Sequence, residues 1–190
     1  MTEKKINPLM VRYTEIFESL KHESDRGCVL VVGSMIELGI ENQISKRIIP
    51  PVKESGSILG RGNKPISTFS AKIDLGYALG LFPEEEWRIY HQLRELRNTC
   101  AHDIKVQTFS ENHFSDRMKN IIDASKQLWP ILAKIVGEKL FTSEEPLSVD
   151  EFVNKLGWRN SFEMFFSLII SHKELSIERV SKIHPLYKPS

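Results

Sequence analysis

Apolar residues recur every three or four positions along most of this chain, which is the spacing of one face of an α-helix. The clearest run has an apolar residue at every fourth position: Val32, Ile36, Ile40, Ile44 and Ile48. Ser24 or Asp25 offers a side-chain oxygen that can cap the start of this helix. Pro50-Pro51 ends it, because neither residue can donate a backbone hydrogen bond. We expect about 25 residues of helix here, a rod of roughly 37 Å that crosses the whole domain.

The same period predicts further helices on both sides of this long one. A shorter amphipathic helix precedes it, with its apolar face over residues 9–20. Pro65 is expected in the first turn of a helix whose apolar residues run over 69–81. Pro83 then opens a helix that reaches about His102.

The second half of the chain contains longer apolar patterns and one strong capping signal. Residues 115–139 are predicted to form one helix, with a kink at Pro130 where one backbone hydrogen bond is lost. Ser148 and Glu151 have the spacing of a capping box, which predicts a short helix that ends near Gly157.

A last apolar helix is expected from Ser161 to about Leu175, followed by a loose tail over 183–190. No stretch alternates convincingly between apolar and polar residues, which is the pattern of a strand. We therefore predict an all-α fold, a single helical bundle of about six to seven helices with one long central helix. Residues 1–140 would form the main helical domain, and residues 141–190 a C-terminal helical extension packed on the same core.

Composition and charge give this protein no strong overall attraction to nucleic acid or to a membrane. Of 190 residues, 41% are hydrophobic, and 26 basic against 25 acidic residues leave a formal charge of +1. Two cysteines are too few for a disulfide scaffold, and Cys28 lies in an apolar run typical of a core. The strongest apolar stretch, Phe162 to Ile170, is much shorter than the roughly 20 residues of a membrane-spanning helix. We expect a cytoplasmic protein that does not enter a membrane.

The sequence contains no recognised motif for a cofactor or a metal. It has no GxxxxGK[ST] phosphate loop, no GxGxxG, no CxxC and no HExxH, and its six histidines lack ligand spacing. We therefore predict that the protein uses no cofactor and no metal.

A basic run lies between Gln43 and Lys64 and includes a loop rich in glycine and serine. Against Glu54 alone it has five basic residues: Lys46, Arg47, Lys53, Arg61 and Lys64. A local excess of positive charge beside flexible backbone is able to contact a nucleic-acid backbone. A solvated face is the commoner role of such a run, so nucleic acid is a possible partner without a recognised binding motif.

The pattern richest in chemistry is Arg97-Asn98 followed by His102, at the end of a predicted helix. Asn98 and His102 are four residues apart and share a helix face, and the long Arg97 side chain can reach the same place. In phosphodiester cleavage without a metal, His102 would move protons and Arg97 would hold the developing charge. In the structural alternative, Arg97 and Asn98 brace neighbouring helices and His102 caps C-terminal carbonyls.

Four segments resemble the MltR family, named for the mannitol operon repressor: Ser24-Asp25-Arg26-Gly27, Pro65 to Leu81, Glu84-Glu85-Glu86, and Leu93 to His102. The most specific part is Phe69 to Leu81, and the resemblance covers roughly 24–103. It implies an all-helical bacterial protein of the cytoplasm that regulates transcription negatively. The family has no recognisable helix-turn-helix and none is visible here, so repression would work through a protein partner.

Arg97-Asn98-x-x-x-His102 also resembles the Arg-x4–6-His signature of HEPN domains, many of which are metal-independent ribonucleases. The resemblance implies that Arg97 and His102 are catalytic and that Asn98 is the polar residue that commonly follows the arginine. It also implies a dimer in which two motifs line one cleft.

Two functions from different classes therefore remain. We favour a non-enzymatic regulatory protein of MltR type, a homodimer in which Arg97 and His102 are tied into intramolecular hydrogen bonds. The alternative is a HEPN-type ribonuclease whose two motifs converge across a two-fold axis. A third role, binding of a sugar phosphate or similar effector, would use Arg26, Arg94 and Arg97. Contacts to an anion or nucleic acid would come from these residues: Arg26, Lys46, Arg47, Arg61, Lys64 and Arg94.

Overall fold

A computed structural model describes residues 7–53, 56–60, 62–102, 108–109, 112–141 and 145–186. These residues form seven α-helices and no β-strand: α1 Pro8–Leu20, α2 Asp25–Arg47, α3 Phe69–Ala78, α4 Glu84–His102, α5 Asn112–Ala124, α6 Leu128–Leu140 and α7 Val149–Ile177. Within the described segments, β-type pairing of the backbone is limited to an isolated bridge between Leu59 and Ile66. The predicted all-α bundle of about six to seven helices is confirmed.

The predicted long central helix is α2, which packs against α3, α4 and α7. Ser24 caps it, since its hydroxyl oxygen accepts the Gly27 N–H at 3.0 Å. The apolar residues at every fourth position from Val32 to Ile44 are fully buried: Val32, Ile36, Ile40 and Ile44. By length and composition alone, α2 is also the one helix of the described chain that is apolar enough to cross a bilayer, but half of its most apolar window is buried in the core. The core helix of a folded protein passes the same test, so this is weak evidence for a membrane span.

Helix α3 begins later than predicted. Thr68 caps it by accepting the Ala71 N–H, and Pro65 lies before the helix instead of in its first turn. The physical reason is that the neighbouring Ile66 N–H is already bonded to the Ile58 carbonyl at 2.9 Å. This bond holds the segment against the preceding loop.

The prediction of one kinked helix over 115–139 is wrong, because the chain breaks between α5 and α6. Pro130 is the third residue of α6. An N–H group in the first turn of a helix has no intrahelical acceptor, so proline costs no hydrogen bond at this position. A carboxylate oxygen of Glu85, on α4, accepts the N–H groups of Gln127 and Leu128 at 3.0 and 3.3 Å. The new helix start is therefore capped from another element.

Helix α7 has the local features that its sequence predicts. Ser148 and Glu151 form a complete capping box, and Gly157 interrupts the helix at φ 77° and ψ 162°. After this kink the apolar half of α7 buries Phe162, Phe165 and Phe166 completely. The core therefore takes residues from both sides of position 140, and a domain boundary near that position stays a prediction.

The predicted loose tail is fastened at its start. The Ile183 N–H donates to the Arg47 carbonyl at 2.8 Å, and the Arg47 guanidinium donates to the Ser181 carbonyl at 2.8 Å. These bonds hold the described part of the tail at the C-terminal end of α2, and residues 187–190 lie outside the described chain.

Candidate functional site

The residues of the predicted motif lie where α4 runs antiparallel to α2. Arg26, near the start of α2, donates a hydrogen bond at 3.1 Å to the carbonyl of Ala101, near the end of α4. About one turn earlier on α4, the Arg97 side chain lies against Gly33 of α2. If the motif is structural, His102 was expected to cap a carbonyl at the C-terminal end of α4. In the structure Arg26 makes that contact instead.

Arg97 is built into this helix contact. A Cβ added at Gly33 would lie 3.0 Å from Arg97 Cγ, so glycine allows the arginine stem to approach the α2 backbone closely. The guanidinium nitrogen Nη2 is 3.9 Å from a carboxylate oxygen of Glu37, and the side chain is about one-third exposed. The ion pair is long and partly solvated, but it keeps a negative charge beside the guanidinium.

Glu37 also belongs to a second ion pair. The Lys72 ammonium, which is almost fully buried, lies 2.8 Å from Glu37 and 2.7 Å from Glu41. Burial lowers the pKa of Lys72, but the hydrogen bonds and charges of the two carboxylates raise it overall. Glu37 therefore joins α2 to both α3 and α4.

Asn98 and His102 have fewer attachments than Arg97. Asn98 is half-buried and His102 is exposed at the end of α4. The hydrogen bonds and ion pairs of the described residues include neither side chain. His102 is therefore exposed one helical turn beyond the half-buried Asn98, and neither side chain is bonded to a described residue.

Arg94 lies on the side of α4 that faces α3. Its Nη2 is 3.5 Å from Glu95, while its Nε is buried with no hydrogen-bond partner in the described residues. Nearby, Asp74 accepts hydrogen bonds at 2.9 Å from Trp87 and His91. Burial alone would raise the pKa of Asp74, but these bonds lower it overall. The α3–α4 contact is thus also polar and charged.

The structure groups five predicted site residues along α4 and the start of α2: Arg26, Arg94, Arg97, Asn98 and His102. Within a single chain, the residues of the basic run do not lie beside these five. Lys46 is twenty residues after Arg26 on the same helix, a separation of about 30 Å. Arg47 binds the C-terminal tail, Lys64 lies beside Gly60, and Arg61 is outside the described residues.

Cys28 is a core residue, as predicted. It is fully buried, and burial raises the pKa of its thiol to about 12, so the thiolate that reacts or binds metal is not formed at neutral pH. Within the described part of the chain, no three His, Cys, Asp or Glu side chains are grouped where they could hold a metal ion.

Sequence reasoning missed a buried polar cluster between α2, α4 and α7. The Lys173 ammonium lies 3.0 Å from the Gln43 amide oxygen and 3.4 Å from Glu86, which also accepts a hydrogen bond from Tyr90. Burial lowers the pKa of Lys173 to about 8, although Glu86 acts in the opposite direction. Every member has a partner, so the cluster serves packing. The only sequence signal is a charged residue on an otherwise buried helix face.

A cavity of about 510 Å³ lies between α4 and α5. It is lined by polar residues: Gln92, Glu95, Arg117, Asn120 and Asp123. A cavity of this size suits a small polar molecule. The arginines predicted to bind a phosphorylated effector, Arg26, Arg94 and Arg97, are not among its lining residues.

The outer face of α2 carries an apolar surface that we call the α2 stripe: Leu30, Val31, Ser34, Met35 and Leu38. Leu38 is 59% exposed, and the other apolar members are half-buried. Ser34 follows Gly33, which Arg97 contacts, but it points about 100° away from Gly33 around the helix. The α2 stripe is thus an accessible apolar face on the helix that α4 packs against.

Comparison of this chain with family models, with curated proteins and with solved structures gives no match. The resemblances to the MltR family and to HEPN domains therefore stay predictions.

Proposed function

We propose that this protein is a non-enzymatic negative regulator of transcription, similar to the mannitol operon repressor, and that it acts through a protein partner in the cytoplasm of a bacterial cell. The observation that carries the proposal is the position of Arg97. Its stem packs against Gly33 and its guanidinium faces Glu37, so it joins α4 to α2.

A ribonuclease needs this arginine for a different purpose. The guanidinium would have to hold the charge that develops on the phosphate in the transition state. In this protein a carboxylate already stands beside it, and the same carboxylate binds Lys72. A phosphate entering here would meet the negative charge of Glu37. The arrangement therefore supports a structural role for Arg97.

The shape of α3 and α4 supports a protein partner over direct binding of DNA. The two helices are joined by residues 79–83, which contain Gly80, and a helix-turn-helix has the same order of elements, although its sequence pattern is absent. In that motif the start of the second helix enters the major groove. Helix α4 begins with Glu84, which is exposed, Glu85, which caps α6, and Glu86, which is buried, so its start offers DNA phosphates no positive charge.

The regulatory proposal is tested by transcript measurements in cells that lack the chain. We expect a defined set of transcripts to rise and to fall again when the wild-type chain or the His102→Ala variant is restored. His102 is exposed and unbonded to the described residues, so this variant keeps the fold. Unchanged transcripts, or a rescue that depends on His102, would contradict the proposal.

The second candidate is a HEPN-type ribonuclease, and one observation favours it. His102 is exposed and Asn98 is half-buried, and neither side chain is bonded to a described residue, which leaves both able to contact RNA. Purified protein is incubated with mixed single-stranded RNA in excess EDTA, beside the Arg97→Ala and His102→Ala variants. We expect no cleavage by any of the three, and a loss of about 1 kcal/mol of stability in Arg97→Ala only. Cleavage by the wild type that both folded variants lose would establish the ribonuclease instead.

A further inference from the structure

We propose that the α2 stripe binds the α2 stripe of a second copy of this chain, with the two helices antiparallel and Ser34 at the two-fold axis. This goes beyond the proposed function, because it assigns the homodimer to a particular surface and register. Its test measures association in solution and does not depend on any regulated transcript.

The α2 stripe is an apolar surface without a partner in the chain. Leu30, Val31 and Met35 reach the core only in part, and Leu38 is 59% exposed in the middle of a helix whose opposite face is fully buried. Ser34, between them, turns its hydroxyl back to the Leu30 carbonyl at 2.8 Å. The serine therefore presents little polar surface, and its small size allows another helix to approach.

The order of residues along α2 makes this surface complementary to itself. In a two-fold interface each residue meets the residue equally far on the other side of the axis. With Ser34 on the axis of an antiparallel pair, Leu30 of each copy meets Leu38 of the other copy. The two leucines lie one turn on either side of the serine, so both apolar contacts form together.

Charges at the two ends of the helix match the same register. Glu23, just before α2, meets Lys46, near its end, because the two lie at nearly equal distances from Ser34. Both are exposed, and neither forms an ion pair with a described residue of its own chain. A parallel arrangement would place Lys46 against Lys46 and Glu23 against Glu23, which favours the antiparallel one.

Five side chains and two flanking charges form a small interface. Stable interfaces bury about 800 Å² on each partner, and one face of a single helix provides less. We therefore expect a dissociation constant in the micromolar range, at roughly 1–10 µM. The ribonuclease alternative requires a dimer, so ribonuclease assays belong at concentrations where this dimer forms.

The first experiment measures molar mass by sedimentation or light scattering up to about 100 µM, well above the expected dissociation constant. We expect a dimer that Leu38→Lys weakens by tenfold or more, because lysine replaces an apolar contact on both sides of the axis. Leu140→Lys is the matched control, since Leu140 is 56% exposed but lies at the end of α6. A chain that stays monomeric, or equal weakening by both variants, would overturn the proposal.

The second experiment exchanges charges to test the register. Lys46→Glu is expected to weaken the dimer about threefold, since the two copies then bring Glu23 against another carboxylate. Combining it with Glu23→Lys restores the opposite pair, and we expect the dissociation constant to return to within about twofold of wild type. Failure of the double variant to recover would refute the antiparallel register.

The third experiment uses a disulfide to locate the axis. Helices packed about 8–10 Å apart place facing Cα atoms about 3.5–5.5 Å apart, so Ser34→Cys can cross-link to itself. Ser45→Cys is the matched control: it is exposed on the same helix, but its two copies would be about 33 Å apart. Cys28 and Cys100 are buried and do not compete. We expect a covalent dimer of the Ser34 variant alone, and equal cross-linking of both would overturn the proposal.

Discussion

Replacing Arg159 by alanine should be among the most destabilising single changes in this protein. Arg159 follows the kink in α7 and contacts both neighbouring helices. Its guanidinium lies 2.6 Å from a carboxylate oxygen of Glu163 and 2.8 Å from one of Asp25. It also donates to the carbonyls of Leu20 and Glu23 at 2.8 and 2.9 Å. One side chain thus joins the end of α1 and the start of α2 to α7.

The magnitude follows mainly from Glu163, whose side chain is 2% exposed. Removing one partner of a buried ion pair costs about 3–5 kcal/mol, because the other charge is left buried and unpaired. The Asp25 pair is about one-third exposed on the carboxylate side and adds at most about 1 kcal/mol. Water can replace the two bonds to carbonyls at the helix ends. We expect Arg159→Ala to lower the free energy of unfolding by about 4 kcal/mol.

The assay is equilibrium unfolding in urea, followed by helical circular dichroism at pH 7. Arg179→Ala is the control, because Arg179 is an exposed arginine just beyond α7, and we expect it to change stability by less than about 0.5 kcal/mol. Adding Glu163→Gln to Arg159→Ala removes the unpaired charge and should recover about half of the loss. An effect of Arg159→Ala below about 1 kcal/mol, or no recovery in the double variant, would refute this reasoning.

Three further changes test other parts of the fold by the same unfolding assay. Gly157 has backbone angles that essentially only glycine adopts, so Gly157→Ala should cost about 1–3 kcal/mol, and an unchanged midpoint would contradict this. A Cβ at Gly76 would lie 2.6 Å from the Phe82 ring, so Gly76→Ala should cost about 1–3 kcal/mol, and adding Phe82→Leu should reduce that loss. The pKa of Lys173 is about 8 in the folded protein and 10.5 in the unfolded chain. Between pH 8 and pH 10.5 the unfolded state therefore binds more protons than the folded state. Stability should therefore rise by up to about 3 kcal/mol from pH 8 to pH 10.5 relative to Lys173→Met, and parallel pH profiles of the two proteins would contradict this.

The sequence was sufficient wherever the determining interaction is local. The Ser24 cap, the capping box of Ser148 and Glu151, and the break at Gly157 all depend on residues within four positions of one another. The period of the apolar residues likewise predicted the all-α fold, although it did not predict the break between α5 and α6. These features were predictable because a helix satisfies its own backbone within a few residues.

The candidate site was predictable only in part. The sequence identified Arg97, Asn98 and His102 as a group on α4, and the structure places all three on that helix. It could not identify Glu37 as the carboxylate beside Arg97, because the two residues are sixty positions apart and meet only when α2 packs against α4. That contact changes the chemistry expected of the arginine.

The tertiary structure alone decided which of several locally acceptable arrangements the chain adopts. Residues 115–139 have the pattern of one helix, yet they divide where Glu85 of α4 can cap a second helix start. Helix α2 has apolar residues on more than one face, so its sequence does not show that Val32 is buried while Leu38 is exposed. Local spacing fixes which residues share a face, whereas burial depends on neighbours that are distant in sequence, and those neighbours leave the α2 stripe accessible.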